Sequence, residues 1–140
     1  MRYLSVKEVE YVAHSLAQKL MEWGEPIPSF ETRYPYILES CLATPRQAFG
    51  GRDMYSTLLK KSSILFYLMI KNHPFQNGNK RTAVMTLFYF LLKNEKWLKV
   101  TNQELYNFSV WVASSDAKVK KETVNAIETY LKQHLVSSDT

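Results

Sequence analysis

The sequence predicts an all-α bundle, and three observations carry that prediction. Apolar residues recur at three- and four-residue spacing through several segments, Ser or Thr stands three residues ahead of Glu where two of those segments begin, and Pro or Gly marks most of the gaps between them. With 140 residues and no Gly/Pro/Ser-rich linker, the chain fits one compact domain over 1–140.

Each element follows in order. Ser5 and Glu8 make a capping box, and Val9, Val12, Leu16 and Leu20 then recur at helical spacing, which predicts an amphipathic helix of about five turns that stops near Gly24. Residues 25–35, EPIPSFETRYP, hold three prolines, which remove donors and disfavour helical neighbours, so an extended loop is expected. YILESCLATP suits a short helix ended by Pro45, and the Gly50-Gly51 pair a turn or hairpin tip. Over 55–72, YSTLLKKSSILFYLMIKN sets Leu58, Leu59, Leu65, Leu68 and Met69 at helical spacing, with Lys60 and Lys61 on the other side. The next helix starts at Asn79 or Lys80 and reaches Lys93; KRTAVMTLFYFLLK is apolar nearly all round after its first turn, as a central helix buried on most faces should be. Thr101 and Glu104 form a second capping box, and a last amphipathic helix over 116–136 turns Val119, Ile127, Leu131 and Leu135 inward. Some six helices with short joints make a bundle.

Bulk composition excludes several classes. Hydrophobic residues make up 46% of the chain and aromatics 14%, enough for a real core and too much for disorder. The longest apolar run, ILFYLMI at 64–70, falls far short of the roughly 20 residues that span a bilayer, and MRYLSVKEVEYVA lacks the apolar core of a signal peptide. A soluble protein with no membrane partner is expected. The lone Cys41 cannot make an internal disulfide and lies in LESCLA, where packing accounts for it, so a reducing cytoplasm is the expected compartment. A net charge of +5, spread along the chain, favours an anionic partner such as a nucleotide or an acidic protein. Nucleic acid rests on the pI of 9.3 alone, because KVKK at 118–121 reads as a solvated helix face.

Chemistry concentrates between the two central helices, in KNHPFQNGNKRTA at 71–83. The first N–H groups of the second helix point back into this turn, and with the positive end of the helix dipole they form an anion site. Gly78 can take left-handed geometry and lets a phosphate approach the backbone. Lys80 and Arg81 stand in the first turn, where cations repel the positive helix end and a bound anion would reverse the sign. His73, across the turn, is placed to take a proton from an attacking hydroxyl. From spacing alone, a capped turn with solvated cations explains these residues equally well.

HPFQNGNKRTA resembles the signature of the Fic/Doc superfamily, H-x-F-x-[DE]-G-N-[GK]-R, and its Lys80 resembles the Doc (death-on-curing) branch. ILESCLATPRQAFGG and the opening YLSVKEV are similar to further stretches of Doc-like proteins, so the resemblance runs over about residues 3–115. It implies a compact Fic/Doc-type helical bundle with the signature loop between two central helices, and transfer of part of a nucleotide triphosphate, ATP with Mg²⁺, onto a protein hydroxyl. Carried over by position, His73 matches the general base, Gly78 and Asn79 the backbone anion hole, and Lys80 and Arg81 the phosphate-contacting cations. Lysine at 80 fills space that glycine leaves open in Fic proteins, and Val84 stands where many AMP-transferring members have arginine. Both features favour phosphate transfer, as Doc performs on a translation factor, over AMP transfer.

The sequence departs from the pattern at Asn77, where the family holds Mg²⁺ with Asp or Glu. An amide oxygen can ligate Mg²⁺ without adding negative charge. Three outcomes stay open: metal held chiefly by ATP phosphates, slow turnover, or a catalytically impaired nucleotide-binding member. No run fits the self-inhibitory [ST]-x-x-x-E-[GN] of some Fic proteins, so the resemblance implies restraint by a separate antitoxin. The resemblance also implies that the exposed half of the family's target-docking flap lies near residues 49–55.

Overall fold

The structure, a computed structural model, describes residues 1–139. Among them six α-helices surround one apolar core, with two short antiparallel strand pairs.

Helix α1 spans 6–20 and opens with the expected capping box: the Glu8 N–H donates to Ser5 Oγ (3.2 Å), and the Ser5 N–H to the Glu8 carboxylate (3.0 Å). Its middle, Val9–His14, is wound as a π-helix. That turn alters which residues face inward. A π turn bonds i to i+5 and so takes in an extra residue, rotating all that follows. Val9, Ala13, Ala17 and Met21 are therefore buried, while Leu16 and Leu20, expected inward, are exposed.

Residues 21–34 carry no helix beyond the 3₁₀ turn Phe30–Thr32. Helix α2 (Pro35–Ala43) starts on a proline, whose missing N–H is an orphan there in any case. Strands β1 (Ala48–Phe49) and β2 (Arg52–Asp53) form a hairpin whose tip residues, Gly50 and Gly51, have φ of +58° and +78°. Positive φ at both central residues is what a type I′ turn requires. Phe49 projects from this hairpin, 84% exposed.

Helix α3 (Leu58–Lys71) is capped by Thr57, whose Oγ1 accepts from the Lys60 N–H at 3.1 Å. From residue 61 to 70 every side chain is buried, and this includes Lys61, expected on the outer face but only 2% exposed. Its ammonium donates to the Pro45 carbonyl (3.2 Å), sits 3.6 Å from the Asp53 carboxylate and lies 5.5 Å from the centre of the Tyr3 ring. A buried charge persists only with such compensation. Helix α4 (Asn79–Lys93) packs against α3, against the π turn of α1 and against α5 (Asn102–Ser114). Helix α5 carries the second capping box, with the Glu104 N–H 3.0 Å from Thr101 Oγ1.

The C-terminal helix is shorter than expected. Helix α6 runs over Lys120–His134; Val119 is exposed in a 3₁₀ turn, and Leu135 begins strand β4 (Leu135–Ser137), which pairs with β3 (Lys96–Leu98). Ile127 and Leu131 are buried as expected. Three-residue strands are too short for period-2 alternation to register in a sequence. Cys41 is buried, and burial pushes its thiol up to about 12, which leaves it protonated and unreactive. No helix of the described residues is long and apolar enough to cross a membrane.

Candidate functional site

The turn between α3 and α4 is pinned from several directions. The Lys71 ammonium donates to the carbonyls of Ala113 and Ser115 at the end of α5. The Pro74 carbonyl accepts from the Tyr34 N–H at 2.8 Å, and Phe75 is buried against the rings of Phe30 and His14 (centroids 5.8 and 5.3 Å). His73 lies exposed with φ +51°, a left-handed conformation that costs a non-glycine residue of order 1–3 kcal/mol. Such strain persists where the surrounding contacts impose it, and it clusters at functional positions.

Gly78 has φ +75° and serves as N-cap of α4. A Cβ here would come within 2.7 Å of Ile27 Cγ1, so the position needs glycine for its backbone and for the close approach of a second segment. The first ladder bond of the helix runs from the Thr82 N–H to the Gly78 carbonyl at 2.9 Å. The N–H groups of Asn79, Lys80 and Arg81 precede it, the usual orphan donors of a helix start.

Asn79 is nearly buried, and its amide spans the turn. Oδ1 accepts from the Phe75 N–H and Nδ2 donates to the Phe75 carbonyl, both at 2.9 Å, while Nδ2 stands 3.4 Å from His73 Nδ1. The amide thus holds the loop closed and steadies the imidazole, a part the motif reading did not include. Lys80 is half-buried and has no hydrogen bond or ion pair among the described residues. The first turn of α4 also carries no acidic residue to offset it.

Arg81 departs furthest from a simple phosphate contact. It is 6% exposed; Nη1 donates to the Met21 and Trp23 carbonyls (3.1 and 3.0 Å) and Nη2 to the Glu25 carbonyl (2.6 Å). The guanidinium thereby organises 21–25 from beneath, while its charge still borders the cavity. Asn77 donates from Nδ2 to Glu25 Oε2 at 3.0 Å.

These residues enclose a cavity of about 390 Å³, within the range of ligand pockets. His73, Asn77, Gly78, Asn79, Lys80 and Arg81 all line it, so the structure brings the sequence-derived site residues together. The opposite wall comes from Trp23, Gly24 and Glu25, with Tyr106 of α5 set edge-on to Trp23 (5.7 Å, 88°). Sequence reasoning missed Trp23, Glu25 and Tyr106, since no local spacing links residues 23–25, or a side chain on α5, to the turn at 73–81.

His14 supports the turn from behind. It is 3% exposed, its Nε2 has no hydrogen-bond partner among the described residues, and it touches Phe30 as well as Phe75. Burial lowers its basicity below the ordinary 6.5, and a backbone hydrogen bond at Pro28 and the charge of Glu10 only partly oppose this.

The profile of the Fic/DOC family matches residues 3–91, which take in α1 to α3, the whole turn and most of α4. The chain belongs to the Fic/DOC family. A Toxin Doc of Mycolicibacterium smegmatis is 34% identical over 55 residues, 39% of this chain and 42% of that relative. The match spans less than half of the relative's length. No solved structure matches the chain significantly. The matched span includes residues 73–81, the turn that lines the cavity.

Proposed function

We propose that this chain is a Doc-like toxin of a bacterial toxin–antitoxin pair, which transfers the γ-phosphate of a nucleotide triphosphate such as ATP to a hydroxyl of a target protein. The observation that carries the reading is Lys80: a cation without an ion pair among the described residues, at the positive end of a helix, beside the orphan N–H groups of 79–81. Such an arrangement is unfavourable until an anion arrives.

The chemistry needs little beyond position and charge. Backbone N–H groups and Lys80 hold the phosphate oxygens. The target hydroxyl attacks the γ-phosphorus, the bond to the β–γ bridging oxygen breaks, the nucleotide diphosphate leaves, and His73 takes the hydroxyl proton. Asn79 keeps His73 in place, and Arg81 keeps the cavity wall. Oxygen donors at Asn77 and Glu25 suit a hard divalent ion, and Mg²⁺ bound there with the phosphates would supply charge neutralisation. Restraint by a separate antitoxin is supported by the match to a Toxin Doc, and a translation factor is the target that the Doc resemblance suggests.

The test is transfer of label into protein in a bacterial lysate. Label from γ-labelled ATP, and none from α-labelled ATP, is expected. Protein labelled only from the α position would replace this reading by AMP transfer. His73→Gly should lower the rate about 10²- to 10⁴-fold without loss of stability, because glycine accepts the left-handed backbone freely. A fully active glycine variant would remove His73 from the chemistry.

A further inference from the structure

The loop's acidic position holds Asn77, and an amide brings no charge to a cation. Mg²⁺ is usually bound through one or two carboxylates together with substrate phosphates. Among the described residues no three His, Cys, Asp or Glu side chains gather into a metal cage, so an ion in this cavity depends on phosphate oxygens and on very few protein ligands.

One carboxylate is in position. Glu25 lines the cavity and its Oε2 accepts from Asn77 Nδ2 at 3.0 Å. Its backbone is fixed, since its carbonyl accepts from Arg81 Nη2, Gly24 before it takes φ +85°, and Pro26 after it restricts its conformation. The side chain forms no ion pair among the described residues, although Lys80 borders the same cavity. Glu25 Oε1 and Asn77 Oδ1 likewise carry no hydrogen bond there. A carboxylate hydrogen-bonded to the amide at the loop's acidic position, on a cavity that Lys80 and Arg81 also line, is placed to serve as a ligand there.

We propose that Glu25, from outside the signature turn, supplies the carboxylate that Asn77 lacks, so that Glu25 and Asn77 together hold the divalent ion that accompanies the nucleotide phosphates. This rests on reading the cavity as a nucleotide site, and it puts the carboxylate for the ion on the wall that faces Asn77.

The test measures Mn²⁺ binding by electron paramagnetic resonance on the full chain, with a non-hydrolysable ATP analogue present, and measures analogue binding separately in EDTA. Glu25→Gln should weaken Mn²⁺ binding about tenfold or more while analogue affinity in EDTA does not fall, because removing a carboxylate beside the phosphates relieves repulsion. Adding Asn77→Asp to Glu25→Gln should restore most of the Mn²⁺ affinity. Unchanged Mn²⁺ affinity in a folded Glu25→Gln variant that binds the analogue would overturn the role of Glu25 and leave the nucleotide reading standing. A wild-type chain that binds no analogue, with Mn²⁺ or in EDTA, would overturn both. Should Glu25→Gln unfold, Glu25→Asp, which keeps the charge on a shorter arm, serves instead: weakened Mn²⁺ affinity supports the assignment, and unchanged affinity overturns it.

Discussion

The two walls of the cavity are held by opposite means. The turn 73–81 is fixed by groups around it: Tyr34 on Pro74, the rings of His14 and Phe30 on Phe75, and the Asn79 amide across its ends. The facing segment, 21–29, has no helix or strand and takes its order largely from the first wall, through Arg81 on three carbonyls, Asn77 on Glu25 and Gly78 against Ile27. Gln18, from α1, adds a bond to the Ile27 carbonyl. The lesson is one of hierarchy. Residues that a motif marks for chemistry also act as the scaffold of their partner segment, so damage to the turn should pass to 21–29.

Arg81→Ala should break this dependence most severely. It leaves three carbonyls without their charged donor, and hydrogen bonds to charged groups contribute about 1.5–3 kcal/mol each before any relaxation; a loss of about 3 kcal/mol or more in unfolding free energy is expected. Chemical denaturation gives the magnitude, and amide exchange should show faster opening at 21–25 than at 73–79. Arg81→Lys should fall between, because one ammonium lacks the planar fork that reaches several carbonyls at once. Equal protection of both segments in the alanine variant would refute the hierarchy.

Gly78→Ala should cost less, about 1–3 kcal/mol, from left-handed strain and from the approach to Ile27. The two causes separate in a double-mutant cycle with Ile27→Ala, which removes the Cγ atoms that a new Cβ would strike. A positive coupling assigns part of the cost to contact between the walls. Strict additivity would leave backbone strain as the whole cause and would loosen the link between Gly78 and 21–29.

Legibility in the sequence follows the same division. The bundle, both capping boxes and the span of α4 could be read because each rests on local rules: spacing, caps, and Gly or Pro at ends. The turn residues that line the cavity stood out in the sequence because their anomaly was local as well, cations at a helix start behind a glycine. What failed depended on distant or cumulative geometry. The π turn of α1 leaves no mark in composition yet moves Leu16 and Leu20 outward. Lys61 reads as a surface residue until Pro45, Asp53 and Tyr3 close over it. Glu25 and Asn77 lie 52 residues apart in sequence, and only the fold makes them neighbours.

The smallest expected effect tests the turn's anchor instead of its far wall. His14 is kept neutral by burial, so its basicity in the folded protein lies below the ordinary 6.5 that applies on unfolding. Between those two values the unfolded chain binds more protons than the folded one, so stability is complete above about pH 6.5 and is lost as pH falls toward the lowered folded value. The slope from one proton cannot exceed about 1.4 kcal/mol per pH unit. Glu8 acts in a lower window: burial raises its pKa, but Lys93 and the Ser5 cap outweigh it, so its contribution fades only below its ordinary 4.5. Urea unfolding of the wild type and of His14→Leu across about pH 5–7.5 isolates the term, since the variant keeps a side chain of similar bulk against Phe30 and Phe75 without a proton to gain. The difference between the two curves should widen with acid. Parallel curves would mean that His14 takes up its proton as readily in the folded protein as in the unfolded one, and that the turn is anchored from behind by its aromatic contacts without any cost set by pH.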